Sequence, residues 1–102
     1  MNTDDLITQS RTRFEHTTAK RVLKEKYQAK LLFAHAGGMW QAGPELLTLL
    51  HIVKENDPVV LLDLYQNPVR VNPKEIAEIA MYRWQEQMNA WLIEHEEINQ
   101  QR

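Results

Sequence analysis

Four histidines, three tryptophans and a set of basic side chains are the residues of this chain with the most chemistry to offer. His16, His35, His51 and His95 include no pair at i, i+3 or i+4, and there is no H-E-x-x-H, so no helical face offers two imidazoles to one metal ion. Glu94-His95-Glu96-Glu97 places oxygen and nitrogen ligands side by side, but adjacent residues diverge around a helix. His95 falls on an apolar stripe and is expected to be a buried, hydrogen-bonded imidazole. Gly37-Gly38 is followed by Met39-Trp40 and lacks the spacing of a phosphate-cradling loop. No nucleophile with a base, no carboxylate pair and no metal cluster stands out. The expectation is a non-enzymatic protein without metal or cofactor.

The tryptophans and the basic residues point instead to binding. Trp84 and Trp91 are seven apart and share a helical face with Ile76 and Met88, an arrangement that suits core or interface better than base stacking. Trp40 lies beside two glycines in a segment that reads as a connector, where it could anchor a partner. Among Arg11, Arg13, Lys20, Arg21, Lys24, Lys26 and Lys30, the three residues Arg13, Lys20 and Lys24 lie near one another on a helical wheel. They would suffice for a few phosphate contacts. The pI of about 6.1 and the absence of a nucleic-acid-binding motif make that the second reading, behind a solvated or interprotein face.

Charge is distributed unevenly along the chain. Residues 1–36 carry seven cations against four carboxylates, net +3; residues 73–102 carry three against six, net −3. Residues 37–72 are net −2. Mutual attraction of the two ends, within a chain or between subunits, explains this without an external partner.

These residues must be held by a small set of elements. From about Asp4 to Ala36 there is no Pro or Gly, and good helix formers dominate, with Thr3 as the expected N-cap and Gly37-Gly38 as the stop. On that helix Val22, Ala29 and Phe33 form one apolar line and Leu23, Tyr27 and Leu31 a second, about 140° away. Two separated lines predict that one is covered by another subunit, hence a homo-oligomer. The polar stretch 1–13 is read as an end that frays or awaits a partner.

Gly43-Pro44 starts a short helix that is apolar nearly all round, through Leu46, Leu47, Leu49, Leu50, Ile52 and Val53, and is expected to be central and buried. Asn56-Asp57-Pro58 ends it. Val59–Tyr65 reads as a strand, Gln66-Asn67-Pro68 as a turn and Val69–Val71 as the return strand of a β-hairpin. Asn72-Pro73-Lys74-Glu75 is a strong helix start, and Ile76, Ala80, Trp84, Met88, Trp91, His95 and Ile98 then form one stripe over about 25 residues.

The fold expected is therefore α+β and mostly α-helical: long helix, short buried helix, β-hairpin, long C-terminal helix, in a single domain over 1–102. With 43% hydrophobic and 25% charged residues, three Gly, four Pro and no Cys, the composition excludes disordered, fibrous and disulfide-rich classes. No apolar run reaches the roughly 20 residues of a membrane span and the start lacks a signal-peptide pattern, so no membrane association is expected and a cytoplasmic location is.

The segments FEHTTAKRVLKEKYQAKLLFAHAGGMWQAGPELL, LDLYQNPVRVNPKEI and RWQEQMNAW together resemble small accessory proteins of contractile-tailed bacteriophages, including cyanophages. The resemblance spans Phe14 to about Trp91 and implies a virion component or an assembly factor acting through protein contacts, in the host cytoplasm or the virion. It brings no site residues with it. The function expected is protein–protein interaction or assembly, with itself and other proteins as partners. Leu23, Tyr27, Leu31, Trp40, Trp84 and Trp91 are the expected interface residues.

Overall fold

The computed structural model describes residues 3–100, with side chains from Asp5 onward, so the side-chain cap expected at Thr3 and the carboxylate of Asp4 lie outside the described side chains. The chain is mostly helical: α1 (Thr3–Lys30), β1 (Leu32–His35), β2 (Gly38–Gln41), α2 (Pro44–Ile52), β3 (Val59–Leu62), β4 (Pro68–Val71) and α3 (Pro73–Gln100). The two long helices run antiparallel, and two antiparallel hairpins and α2 gather at one end of a body measuring 66 × 24 × 20 Å.

The first helix stops at Lys30, six residues before the expected end, and the reason is tertiary. Leu31–His35 has no local objection to a helix, but as β1 it pairs with β2 and places Phe33 opposite Trp40, both buried. Arg83 of α3 donates to the Lys30 carbonyl at 3.4 Å, satisfying one of the acceptors left open at the helix end. Of the glycine pair expected to stop the helix, Gly37 turns this first hairpin together with Ala36, and Gly38 begins β2. Ala36 (φ 54°) and Gly37 (φ 82°) are both left-handed, as a two-residue hairpin loop of the mirror-image type requires. Gly38 is needed for space. A Cβ there would meet Val69 Cγ2 at 3.0 Å and Asp63 Cβ at 3.2 Å, because the second hairpin lies against it.

Phe33 therefore never joins the apolar line drawn through Val22 and Ala29, and both of those residues are exposed. The other line is the core-facing one. Leu23 and Tyr27 are buried against α3, and Leu31 follows them into the core. With one line dissolved, the periodicity of α1 no longer argues for a second subunit.

The core proper comprises Leu31, Phe33, Trp40, Ala42, Leu50, Leu61, Val71, Ile76 and Ala80. It is built where the hairpins and α2 meet the start of α3. The short helix begins at Pro44 as expected but lies on the flank: only Leu50 is buried, whereas Leu49 and Ile52 are 41% and 72% exposed. The second hairpin is shorter than its apolar run suggested. β3 ends at Leu62, and Asp63–Asn67 forms the turn, with Gln66 left-handed at φ 66°.

The start of α3 matches its sequence signature. Asn72 Oδ1 accepts from the amides of Lys74 (3.0 Å) and Glu75 (3.2 Å), and Pro73 occupies the first helical position. Ile76 and Ala80 are fully buried; further along the stripe Trp84, Met88, Trp91, His95 and Ile98 are half-buried. His95 is thus not the buried imidazole expected. It lies on the outer half of α3, which packs along α1.

Two substitutions test these local arguments. Asn72→Ala removes the cap acceptor and is expected to lower stability by about 1 kcal/mol, read as a lower denaturant midpoint with an unchanged slope. Ala36→Asn keeps an exposed position but relieves an alanine held left-handed, and should raise stability by up to about 1 kcal/mol; an unchanged or lower midpoint would speak against the turn geometry.

Candidate functional site: a tryptophan-lined groove

An open groove of about 670 Å³ runs between the end of α1, the first hairpin, α2 and α3. All three tryptophans line it, together with Leu31, Leu46 and Met88. Four of the six expected interface residues therefore converge here: Leu31, Trp40, Trp84 and Trp91. Leu23 and Tyr27 do not, being buried between α1 and α3 behind the groove. Trp40 is only 3% exposed, so it is part of the groove floor and not a free anchor on a connector. Its Nε1 donates to the His35 carbonyl at 3.0 Å, which fixes the indole across its own hairpin. Trp84 and Trp91 form the half-buried wall.

The α3 wall is set by a layered contact. The Trp91 ring stacks on Tyr27 with centroids 6.1 Å apart and planes 6° from parallel. The ammonium groups of Lys26 and Lys30 lie 5.2 and 5.1 Å from the Tyr27 centroid. Lys26 also bonds the Glu94 carboxylate at 3.0 and 3.1 Å. That hydrogen bond from Lys26, and after it one from Tyr27, holds the Glu94 carboxyl below the usual carboxylate range. The pair is half-exposed, so its worth lies in register more than in energy.

The opposite wall depends on Asp63, which the sequence pattern places inside a strand. Its side chain is 5% exposed and accepts three backbone amides: Asn67 at 2.9 Å and Tyr65 at 3.0 Å on Oδ1, and Met39 at 3.1 Å on Oδ2. The first two close the β3–β4 turn in the manner of an Asx turn. The third crosses to β2, and the Leu64 amide returns the link by donating to the Met39 carbonyl at 2.7 Å. One carboxylate thus joins the two hairpins at the groove edge. A signal for it existed: a lone acid four residues before Asn67-Pro68, ending the apolar run VVLL.

The groove's lining includes the carboxylates Glu45 and Asp63, and among the described residues no lysine, arginine or histidine. Asp63 is buried and satisfied by its three amides, so the exposed charge at the edge of this apolar, aromatic trough is Glu45, which suits an apolar segment bearing basic residues. Arg13, Lys20 and Lys24 lie elsewhere, along one side of α1 within about 40° of one another. Arg13 and Lys24 are exposed and Lys20 half-buried.

The amides of Asn67 and then Met39 hold the Asp63 carboxyl below the usual carboxylate range, against the opposing pull of burial. A lowered folded value means that the unfolded chain takes up the proton first as pH falls. This stabilisation is therefore complete above the ordinary carboxyl value of about 4 and lost as pH drops through the lower folded value. Asp63→Asn is expected to be less stable than wild type at pH 7 and to show a flatter loss between about pH 5 and pH 2. Parallel curves for the two proteins would remove Asp63 from this account. Comparison with known protein families, with curated proteins and with solved structures finds no match to the chain.

Proposed function

We propose that the chain is a non-enzymatic interaction or assembly protein whose groove docks an apolar segment of another polypeptide. The observation that carries the reading is the convergence of Trp40, Trp84 and Trp91, from two separate elements, on one open trough. Aromatic side chains in a preformed concavity supply large contact area at low ordering cost, which is how interface hot spots are built. The resemblance to accessory proteins of contractile-tailed phages gives the role a setting, as a virion component or an assembly factor in the host cytoplasm.

Nucleic-acid binding through Arg13, Lys20 and Lys24 is the competing reading, favoured by their placement on one side of α1. It requires steep salt dependence, with each lost phosphate contact lowering the log–log slope by about 0.9 on duplex DNA. The interaction reading expects no submicromolar binding of single- or double-stranded oligonucleotides near physiological salt by fluorescence anisotropy. Tight binding that Arg13→Gln, Lys20→Gln and Lys24→Gln together abolish would reverse the order of the two readings.

The docking reading itself is tested by photo-cross-linking in the cells that make the protein. Benzoylphenylalanine in place of Trp84 should capture a polypeptide, whereas the same group at exposed Lys54 should not. Equal capture at both positions, or none at either, would contradict it.

A further inference from the structure

We infer that the groove's occupant is the N-terminal part of α1 from a second copy of this chain, so that two copies exchange helical arms. The inference rests on the reading of the groove as a polypeptide-docking surface and names its partner.

The arm comes from the register of the two long helices. Lys26 sits opposite Glu94. Beyond Glu94, α3 continues for six residues to Gln100, whereas α1 begins twenty-three residues before Lys26. The end of α3 reaches further back than that count suggests, because Ile98 lines a cavity with Thr12, His16 and Ala19 and residues 16 and 18–20 are half-buried; the exposed arm is residues 5–15, about 15 Å of helix. Residues 5–15 are all exposed, and they include Leu6 at 53%, Ile7 at 51% and Phe14 at 72%. Three large apolar side chains on so short an overhang are uncovered by their own chain.

The arm cannot fill its own groove. Gln28 of the same continuous helix lines the groove, and Phe14 lies fourteen residues back along it, about 21 Å away. Only another copy can bring an arm there.

Charge and length both fit that copy. Residues 6–14 contain Arg11 and Arg13 and no carboxylate. Of the two carboxylates in the lining only Glu45 is exposed, since Asp63 is buried with its oxygens occupied by three amides, and the lining holds no cation among the described residues. Leu6, Ser10 and Phe14 recur at four-residue spacing over about 12 Å, and Trp84, Met88 and Trp91 occupy about 10 Å of the facing helix. Each copy gives one arm and receives one, so a two-fold pair closes without leaving either feature unfilled.

The chain has no cysteine, which makes the test clean. Copies carrying Ser10→Cys and copies carrying Met88→Cys are mixed and oxidised, and Lys54→Cys with Met88→Cys serves as control. Arm exchange predicts at least a tenfold excess of the 10–88 disulfide-linked pair over the control. It also predicts wild type at about twice 12.1 kDa by light scattering, and Phe14→Asp at 12.1 kDa with unchanged helical circular dichroism. Cross-linking no better than the control, or a wild-type mass of 12.1 kDa at high micromolar concentration, overturns the arm exchange. If the Trp84 photo-cross-linker then still captures a different polypeptide, the docking reading stands without it. If it captures nothing, both fail.

Discussion

The buried carboxylate of Asp63 is the interaction on which the arrangement of the groove depends. Two isolated two-stranded hairpins are marginal in water. Here each is stabilised by the other, because one side chain accepts amides from both: Met39 on the first, Tyr65 and Asn67 on the second. The contact is close enough that Gly38 has no room for a Cβ. A buried carboxylate without such donors would carry a large desolvation penalty, so the three amides are what make an acid tolerable at this depth.

The long helices work differently. Their pairing is held by Leu23 and Tyr27 on α1 and the stripe on α3, with the Lys26–Glu94 bond and the Tyr27–Trp91 stack setting the register. That register has two consequences. It brings Trp91 and Trp84 to face the hairpin end, and it leaves residues 5–15 of α1 exposed. The groove and the projecting arm are thus two results of one alignment, with a concave aromatic surface at one end and an exposed apolar helix at the other.

Much of the helical framework was legible in the sequence because it follows from local rules. The Asn72-Pro73 start of α3, its stripe, the Gly43-Pro44 start of α2 and the second hairpin's place after Asp57-Pro58 all rest on capping, proline and periodicity. What was not legible depends on contacts between segments far apart. Leu31–His35 has helical propensity and becomes a strand because Phe33 gains a buried place opposite Trp40 and Arg83 caps Lys30. The apolar run of α2 suggested a central helix, but in a chain of this size there is no layer to cover its outer side. Trp40, Trp84 and Trp91 were each recognisable as interface candidates. Their convergence was not, since it requires the first hairpin. Asp63 could have been found as a lone acid closing an apolar run before Asn67-Pro68.

The central claim is that Asp63 couples the two hairpins and through them shapes the tryptophan groove. The most direct test is residue-resolved amide exchange and indole resonances by NMR, comparing wild type with Asp63→Asn at neutral pH. The account predicts that the amides of Met39, Tyr65 and Asn67 lose protection together and that the Trp40 and Trp84 indole signals shift. Protection along the α1–α3 pair should be retained. Loss confined to residues 64–67, with Met39 and both indoles unchanged, would show that the hairpins are not coupled through this carboxylate and would contradict the account.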